Sequence, residues 1–243
     1  MSAPYFVRVG EVWQDRVSGA AACPRHTLGL TQLHSYLSDI RYPCIGARAA
    51  VKRDALCGQV YPGMADSSSV AALHEALTLF ADDLKRCQHN FMTFAALFEG
   101  PELASEVHFE RVLWEHLQAL HDYDAPRNAW DPAVASDPES PSFSFSIAGC
   151  AWFIVGLHPH ASRQSRRFSM PALIFNAHSQ FNALRQLGNY GPMQVAVRSR
   201  EIAYSGSVNP VLSDFGTQSD ARQYSGVNVD ADWKCPLIVR EPR

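Results

Sequence analysis

Three stretches of the chain carry apolar residues at helical spacing. In each of the stretches 28–40, 70–87 and 105–121, apolar side chains recur every three or four positions and so share one face. Serines at 67–69 and at 105 are suitable N-caps for the second and third. We therefore predict three amphipathic helices, each packed against a larger apolar surface.

Short continuous apolar runs predict buried strands, and these runs cover residues 91–98, 143–147, 150–157 and 172–175. Ala148 and Gly149 separate the second run from the third, so these two runs are predicted to form a hairpin. A helix capped by Asn176 is expected to extend to about Leu187, and a further helix to cover 192–202.

This order of elements predicts one α+β (or α/β) domain with a central sheet covered by helices. Residues 1–28 show little periodicity and are expected to form a loosely attached arm, so the domain is assigned to 29–243. Residues 122–141 contain four prolines and are predicted to form a long loop, and most of 205–243 is also expected to be loop.

The composition is that of an ordinary globular protein, with 47% hydrophobic and 19% charged residues among 243. A formal net charge of −3 argues against nucleic acid or an anionic membrane as the main partner. The sequence has no apolar run near the about 18 residues that span a bilayer and no secretory signal, so a cytoplasmic location is expected. Six cysteines without any C-x-x-C spacing are expected to be free thiols.

A cluster of basic residues follows the predicted strand 150–157. Arg163, Arg166 and Arg167 lie within five positions of one another. Because guanidinium groups bind carboxylates and phosphates in bidentate fashion, the cluster could hold an anion at the end of the strand. A solvated loop that pairs with the chain's own acids is the alternative.

His158 and His160 precede these arginines with the spacing H-P-H. Both could ligate a metal, although a third ligand such as His178 would be required. Buried or loop histidines that have ordinary hydrogen-bond partners are the alternative.

Cys44 differs from the other cysteines because it lies in the sequence P-C-I-G. Gly46 leaves space beside the sulfur, and a helix that begins after Cys44, together with Arg48, would lower the thiol pKa. Such a thiolate suits haem ligation or nucleophilic catalysis. A small buried residue in a turn is the structural alternative.

Several motifs occur in the order typical of one family, and the sequence resembles the YqcI/YcgG-like proteins from about residue 40 to residue 237. The motifs are YPCIGARAA (42–50), FERVLWEHLQ (109–118), SDPESPSFSFS (136–146), GLHPHASRQSRRF (156–168), FNAHSQFNALR (175–185), GSVNPVLSDFG (206–216), SDARQYSG (219–226) and WKCP (233–236).

The best-described members of that family, similar to the guanitoxin-pathway enzyme, are taken to be haem-dependent N-hydroxylases. The resemblance therefore implies haem b, O2, an electron donor and a small guanidino or amino substrate. We assign Cys44 as the axial ligand because thiolate ligation favours oxygen activation, with His158 as the alternative ligand. Cys44 and His158 are the expected catalytic residues. The expected cofactor-binding residues are Cys44, Gly46, Arg48, His158, Arg163, Arg166 and Arg167, with the last three pairing with the haem propionates.

A cationic substrate requires acidic or aromatic partners, and the candidates are Asp214, Asp220 and Tyr224, with Glu110 and Asp137 as further acids. Asp220 stands where the family pattern has Glu. A haem or small-ligand binding or sensor protein without turnover is the alternative, and a cofactor-free cysteine enzyme is a third option. The sequence does not fix the oligomeric state, and a homodimer is one option.

Overall fold

The computed structural model describes residues 4–87, 91–214 and 216–240, which contain one seven-stranded sheet. Its strands are β1 (Phe6–Val9), β2 (Val12–Asp15), β3 (Leu56–Tyr61), β4 (Thr93–Phe98), β5 (Phe145–Ile147), β6 (Cys150–Leu157) and β7 (Ala172–Ala177). They lie in the order β2-β1-β3-β4-β7-β6-β5, with β3 parallel to β4 and the other neighbouring pairs antiparallel.

The helices of the described residues are α1 (Pro24–Ser38), α2 (Ile45–Lys52), α3 (Ser67–Arg86), α4 (Glu106–Asp124), α5 (His178–Gln186), α6 (Tyr190–Ser205) and α7 (Ala221–Tyr224). A 3-10 turn covers Gln164–Arg166. Each helix in these ranges is too short or too polar to cross a bilayer.

Side chains alternate between two faces of the sheet and build two apolar layers. Phe94 and Phe98 of β4 belong to the layer formed with α3 and α4 on the first face. Ala95 and Leu97 belong to the layer formed with α1 on the second face. This alternation follows from the two-residue period of a strand. The prediction of one α+β domain, with strands in a single sheet and helices over it, is confirmed.

The predicted hairpin is also confirmed, because β5 pairs with β6 in antiparallel register across Ala148 and Gly149. Both turn residues have positive φ, 56° and 64°. That conformation is required by a two-residue turn whose twist matches the flanking strands.

The expectation of a loose N-terminal arm is wrong for the residues that the structure describes. β1 pairs with β3 and continues the sheet through β2. Tyr5 and Trp13 are buried, and Arg16 forms a 2.9 Å ion pair with Asp83 of α3. Periodicity missed this hairpin because its strands are only four residues long.

Some element boundaries differ from the predictions for local reasons. α1 begins at Pro24, four residues before the predicted stretch 28–40, because proline is favoured at the first position of a helix. Asn176 belongs to β7 and forms a hydrogen bond with Thr93, so it does not cap α5.

Strand β3 was not predicted, since Gly58 interrupts its apolar run. A Cβ at Gly58 would lie 2.3 Å from the Ala95 carbonyl oxygen.

Candidate functional site: a cavity lined by Cys44 and a His–Asp pair

An apolar cavity of about 210 Å3 lies on the second face of the sheet, beside the part that α1 and α2 cover. Phe153 and Val155 of β6 form its floor, together with Asn176 of β7. The N-terminus of α2 and helices α5 and α6 form its sides, and residues 212–213, 220 and 223 complete the wall.

Aromatic side chains give the cavity flat surfaces. The rings of Phe153 and Phe181 meet edge to face at 6.0 Å, and those of Phe181 and Tyr190 at 6.4 Å. Phe91 and Met193 add further apolar surface. These walls suit a flat apolar ligand or a cation that stacks on rings.

Cys44 lies in the cavity wall as the N-cap of α2. Its Sγ accepts a hydrogen bond from the backbone N–H of Ala47 at 3.4 Å. The expected helix therefore begins directly after the cysteine. Burial nevertheless raises the thiol pKa above its ordinary value, and this effect outweighs the lowering by the amides of Ala47 and Gly46.

Gly46 also lines the cavity, whereas Arg48 lies outside its wall. A Cβ at Gly46 would lie 3.9 Å from both the Cys44 sulfur and the Phe91 ring, which is ordinary van der Waals contact. The space beside the sulfur therefore does not depend on glycine at this position.

A buried histidine–aspartate pair is the most polar part of the wall. His178 Nε2 lies 2.8 Å from Asp220 Oδ2, and the two residues are only 4% and 2% exposed. α5 begins at His178, and α7 begins directly after Asp220. From the sequence, His178 was considered only as a third metal ligand and Asp220 only as a substrate-binding acid. Their separation of 42 residues gave no sign of the pair.

Arg166 does not line the cavity, and its guanidinium group is already bonded to the backbone. It donates to the carbonyl oxygens of Gln223 at 2.8 Å and Tyr224 at 2.9 Å. A Cβ at Gly226 would lie 2.7 Å from Cδ of Arg166, so the chain approaches the arginine closely there. Burial lowers the pKa of Arg166 to about 10. This arginine thus anchors the segment that carries Asp220.

Arg163 and Arg167 also lie outside the cavity wall. Arg163 lies 3.8 Å from Glu201, the buried acid of α6, and donates to the Ser207 hydroxyl at 2.8 Å. Arg167 Nε donates to the Ala161 carbonyl oxygen at 3.0 Å. The arginine cluster fixes α6, α7 and its own loop. It differs from both interpretations of the sequence, because Arg166 is buried and Arg166 and Arg167 bind backbone carbonyl groups in place of a ligand or the chain's acids.

His158 is fully buried away from the cavity, stacked on Phe109 with ring centroids 4.2 Å apart. Burial lowers its pKa to about 4, with smaller contributions from His160 and Arg166. Among the described residues, its ring nitrogens have no hydrogen-bond partner. Its position favours a role in packing between β6 and α4.

The three predicted substrate-binding residues lie in different surroundings. Asp220 is in the wall, paired with His178. Asp214 is half exposed and binds Arg198 at 3.1 Å and Gln194 at 2.5 Å. Tyr224 is buried in the core, where its hydroxyl group accepts from the Phe145 backbone N–H at 2.9 Å. Only the first of these three lies in the wall.

Two arginines that were not predicted line the cavity, namely Arg185 and Arg198. The guanidinium group of Arg185 lies 4.5 Å from the Tyr190 ring centroid, and Arg198 binds Asp214. They place positive charge where the predicted arginine cluster does not.

Within the described ranges, no group of three or more His, Cys, Asp or Glu side chains could hold a metal ion. A mononuclear site built from His158, His160 and His178 is therefore not formed. Haem requires a single protein ligand, so this finding does not bear on haem.

The profile of the YqcI/YcgG family covers residues 33–238 of the chain. No curated protein and no solved structure matches the chain.

Proposed function

Since the chain belongs to the YqcI/YcgG family, and since one apolar cavity is lined by a thiol and a carboxylate-paired imidazole, we propose that it is a haem-dependent monooxygenase. Its substrate would be a small guanidino or amino compound, hydroxylated on nitrogen. The cofactor would be haem b, held in the cavity beneath α6.

The residues of the wall fit such a group chemically. Cys44 and His178 both belong to residue types that ligate haem iron, and both line the cavity. Flat aromatic surfaces from Phe153 and Phe181 suit a macrocycle. This combination in one cavity is the observation that carries the proposal.

Arg185 and Arg198 replace the predicted cluster as candidate partners for the haem propionates. Both line the cavity, whereas Arg163 and Arg166 lie outside its wall. Arg–carboxylate pairs are among the strong hydrogen bonds of proteins, so either arginine could hold a propionate group.

The size of the cavity limits how the cofactor enters. About 210 Å3 is below the usual range for ligand pockets, which begins at roughly 300 Å3. The wall best able to move is α6, because only Glu201 among its residues is fully buried. Entry of haem would move α6 outward around its anchor at Arg163 and Ser165, whose hydroxyl group donates to Glu201 at 3.0 Å.

Bound haem would supply the activation of O2, with two electrons and two protons from a donor and solvent, so that one oxygen atom enters an N–OH group and the other leaves as water. The protein would contribute binding and orientation. Phe181 and Tyr190 can stack on a guanidinium or ammonium group. Gln223, fixed by Ser213 at 3.0 Å, offers an amide for orientation. The α6 helix forms one side of the cavity.

The proposed location can be tested by filling the cavity. Val197→Trp places an indole in the wall, while Val195→Trp is the matched control because Val195 is 65% exposed on the same helix. Hemin titration followed by absorbance should show loss of binding in Val197→Trp and normal binding in Val195→Trp. Equal binding by both variants would place the haem elsewhere.

The proposed activity is tested with reconstituted protein, O2, a reductant and arginine-like amines. Mass spectrometry should detect a product that is heavier by one oxygen atom, with the label arising from 18O2. Haem uptake without turnover would instead indicate a binding or sensor protein.

A further inference from the structure

We infer that the outer face of α2 is the docking surface for a small acidic electron-transfer protein. This surface, the α2 basic patch, consists of Arg48, Lys52 and Arg53. The inference rests on the proposed function, because it names the partner that a monooxygenase requires. Each hydroxylation consumes two electrons, which two molecules of a one-electron donor deliver as they are oxidised. With two protons from solvent, one oxygen atom of O2 enters the product and the other leaves as water.

The first support is that the acids flanking α2 are already paired with other arginines. Asp39 Oδ2 lies 2.8 Å from Arg41 Nη2, and Asp54 Oδ1 lies 3.2 Å from Arg8 Nη1. The sequence of the helix itself, IGARAAVK, contains no acid. The patch therefore presents three positive charges in a chain whose formal net charge is −3.

The second support is the direction of these side chains. Arg48 and Lys52 are four positions apart and so share one face of α2. Ala50 and Val51 are buried and hold the other side of the helix against the protein. Arg53 directly follows the helix, and both it and Lys52 are exposed. The three charges are thus presented toward solvent, where a partner can reach them.

Helix stability explains only part of this charge. Lys52 lies in the last turn of α2, where a cation interacts favourably with the helix dipole. Arg48 is the fourth residue of the helix, near its positive end, where a cation is unfavourable. An acidic partner accounts for both residues, whereas the local structure accounts only for Lys52.

The patch lies on the outer side of the cavity wall. Gly46 and Ala47, directly before Arg48 in the chain, line the cavity. The guanidinium carbon of Arg53 lies 4.8 Å from the centroid of the Phe91 ring, and Phe91 is also a wall residue. A donor bound to the patch would therefore be separated from the cavity by little more than the wall itself.

The size of the patch favours an electron-transfer protein over a polyanion. Encounters between redox proteins bury less than about 1,200 Å2 and are guided by complementary charge. Three charges on a short helix suit such an encounter, whereas a protein that depends on about 6–10 phosphate contacts needs a longer basic surface. An anionic membrane is the other partner that the experiment must separate.

The test is a calorimetric titration with a plant-type [2Fe–2S] ferredoxin as the acidic probe, at about 20 mM and about 500 mM salt. Wild type is compared with Arg48→Glu/Lys52→Glu. The matched control is Arg111→Glu/Arg127→Glu, which changes the net charge equally at two exposed positions on and just after α4, on the other side of the sheet. Circular dichroism verifies that each variant folds.

We expect wild type and the control to bind ferredoxin equally, and to bind it more weakly at high salt because salt screens exposed charges. Arg48→Glu/Lys52→Glu should bind at least about 10-fold more weakly at low salt, since like charges then face each other across the interface. After hemin loading, reduction by reduced ferredoxin should slow by a similar factor in this variant. Reduction by dithionite should be similar in all three proteins, because it needs no docking surface.

Two results would overturn the inference while the proposed haem function stands. The first is a folded wild-type protein that takes up hemin but binds no ferredoxin, or that binds it no better than Arg48→Glu/Lys52→Glu or equally better than both variants. The second is binding to vesicles containing phosphatidylserine that depends on the patch, without binding to ferredoxin. A folded wild-type protein that takes up no hemin removes the proposed function, and the electron-transfer role of the patch falls with it.

Discussion

The described part of the chain contains two buried histidine–aspartate pairs with nearly equal N–O distances, one on each side of the sheet. His74 Nε2 lies 2.7 Å from Asp124 Oδ1 on the first face, and His178 Nε2 lies 2.8 Å from Asp220 Oδ2 beside the second. All four residues are at most 8% exposed. The distance within the pair therefore does not distinguish a structural role from a functional one.

The surroundings do distinguish them. Asp124 Oδ1 also accepts from Asn128 Nδ2 at 2.7 Å and from the Ala148 backbone N–H at 3.0 Å, so it joins α3, α4 and the β5–β6 turn. His178 and Asp220 instead line a cavity. The first pair is explained by the contacts that it makes within the fold. The second pair lies where a ligand in the cavity could contact it.

The largest expected effect is a loss of stability in Asp124→Ala, which is to be compared with Asp220→Ala. Removing Asp124 leaves the donors of His74, Asn128 and Ala148 without their acceptor, and we expect a loss of about 3–5 kcal/mol in the free energy of unfolding. Removing Asp220 should cost about 1–2 kcal/mol, because water in the cavity can replace it. Urea unfolding followed by circular dichroism measures both. Equal losses would contradict the distinction.

A smaller loss is expected from Arg166→Met, which retains apolar bulk but removes the donors to the Gln223 and Tyr224 carbonyls. We expect about 2–3 kcal/mol of destabilisation, since hydrogen bonds to charged groups contribute about 1.5–3 kcal/mol. Hydrogen exchange should increase in peptides covering 219–226. It should not increase around Asp124. Arg167→Met, which affects bonds within its own loop, is the control.

The smallest effect concerns His158, a buried histidine without a carboxylate partner among the described residues. Burial lowers its pKa from 6.5 to about 4, so between these values the unfolded chain binds more protons than the folded one. Its contribution to stability is present above pH 6.5 and is lost as the pH falls toward 4. At pH 5 the loss should be about 1–2 kcal/mol.

In a series of unfolding experiments from pH 7 to pH 4, the free energy of unfolding of His158→Leu should fall less than that of wild type. The same variant should bind hemin as wild type does, because His158 lies outside the cavity. An equal loss of stability in the variant and wild type between pH 7 and pH 4, or a loss of hemin binding, would show that the role given to His158 is wrong.

Long periodic segments were predictable from the sequence, and short or interrupted ones were not. Helices α3 and α4 follow an apolar repeat over five turns, so packing and local pattern agree. Strands β1 and β2 are four residues long, and β3 contains Gly58 and Gln59 within its buried run. Their places depend on partners far away in the chain, which periodicity does not report.

Only part of the cavity wall was predictable from the sequence: of the predicted site residues, Cys44, Gly46 and Asp220 line it. Cys44 was singled out from the P-C-I-G setting, and it lines the cavity. The basic loop was also singled out, yet Arg163 and Arg166 support α6 and α7. The composition of a loop shows that charges require partners, but the fold decides whether a ligand or a backbone carbonyl provides them. For the same reason, the pairing of His178 with Asp220 became visible only in the structure.

The central claim is that the cavity lined by Cys44 and the His178–Asp220 pair binds the proposed haem, while the His74–Asp124 pair stabilises the fold. The most direct test is a hemin titration of wild type, Asp220→Asn and Asp124→Asn, followed by absorbance. Asp220 lines the cavity, whereas Asp124 belongs to the pair on the other side of the sheet, so only the first substitution changes the surroundings of bound haem.

We predict that Asp220→Asn weakens hemin binding or shifts the Soret band of the bound hemin. Asp124→Asn, which neutralises an equally buried carboxylate on the other side of the sheet, should bind hemin as wild type does. A titration in which neither variant, or both variants equally, differ from wild type would contradict the account.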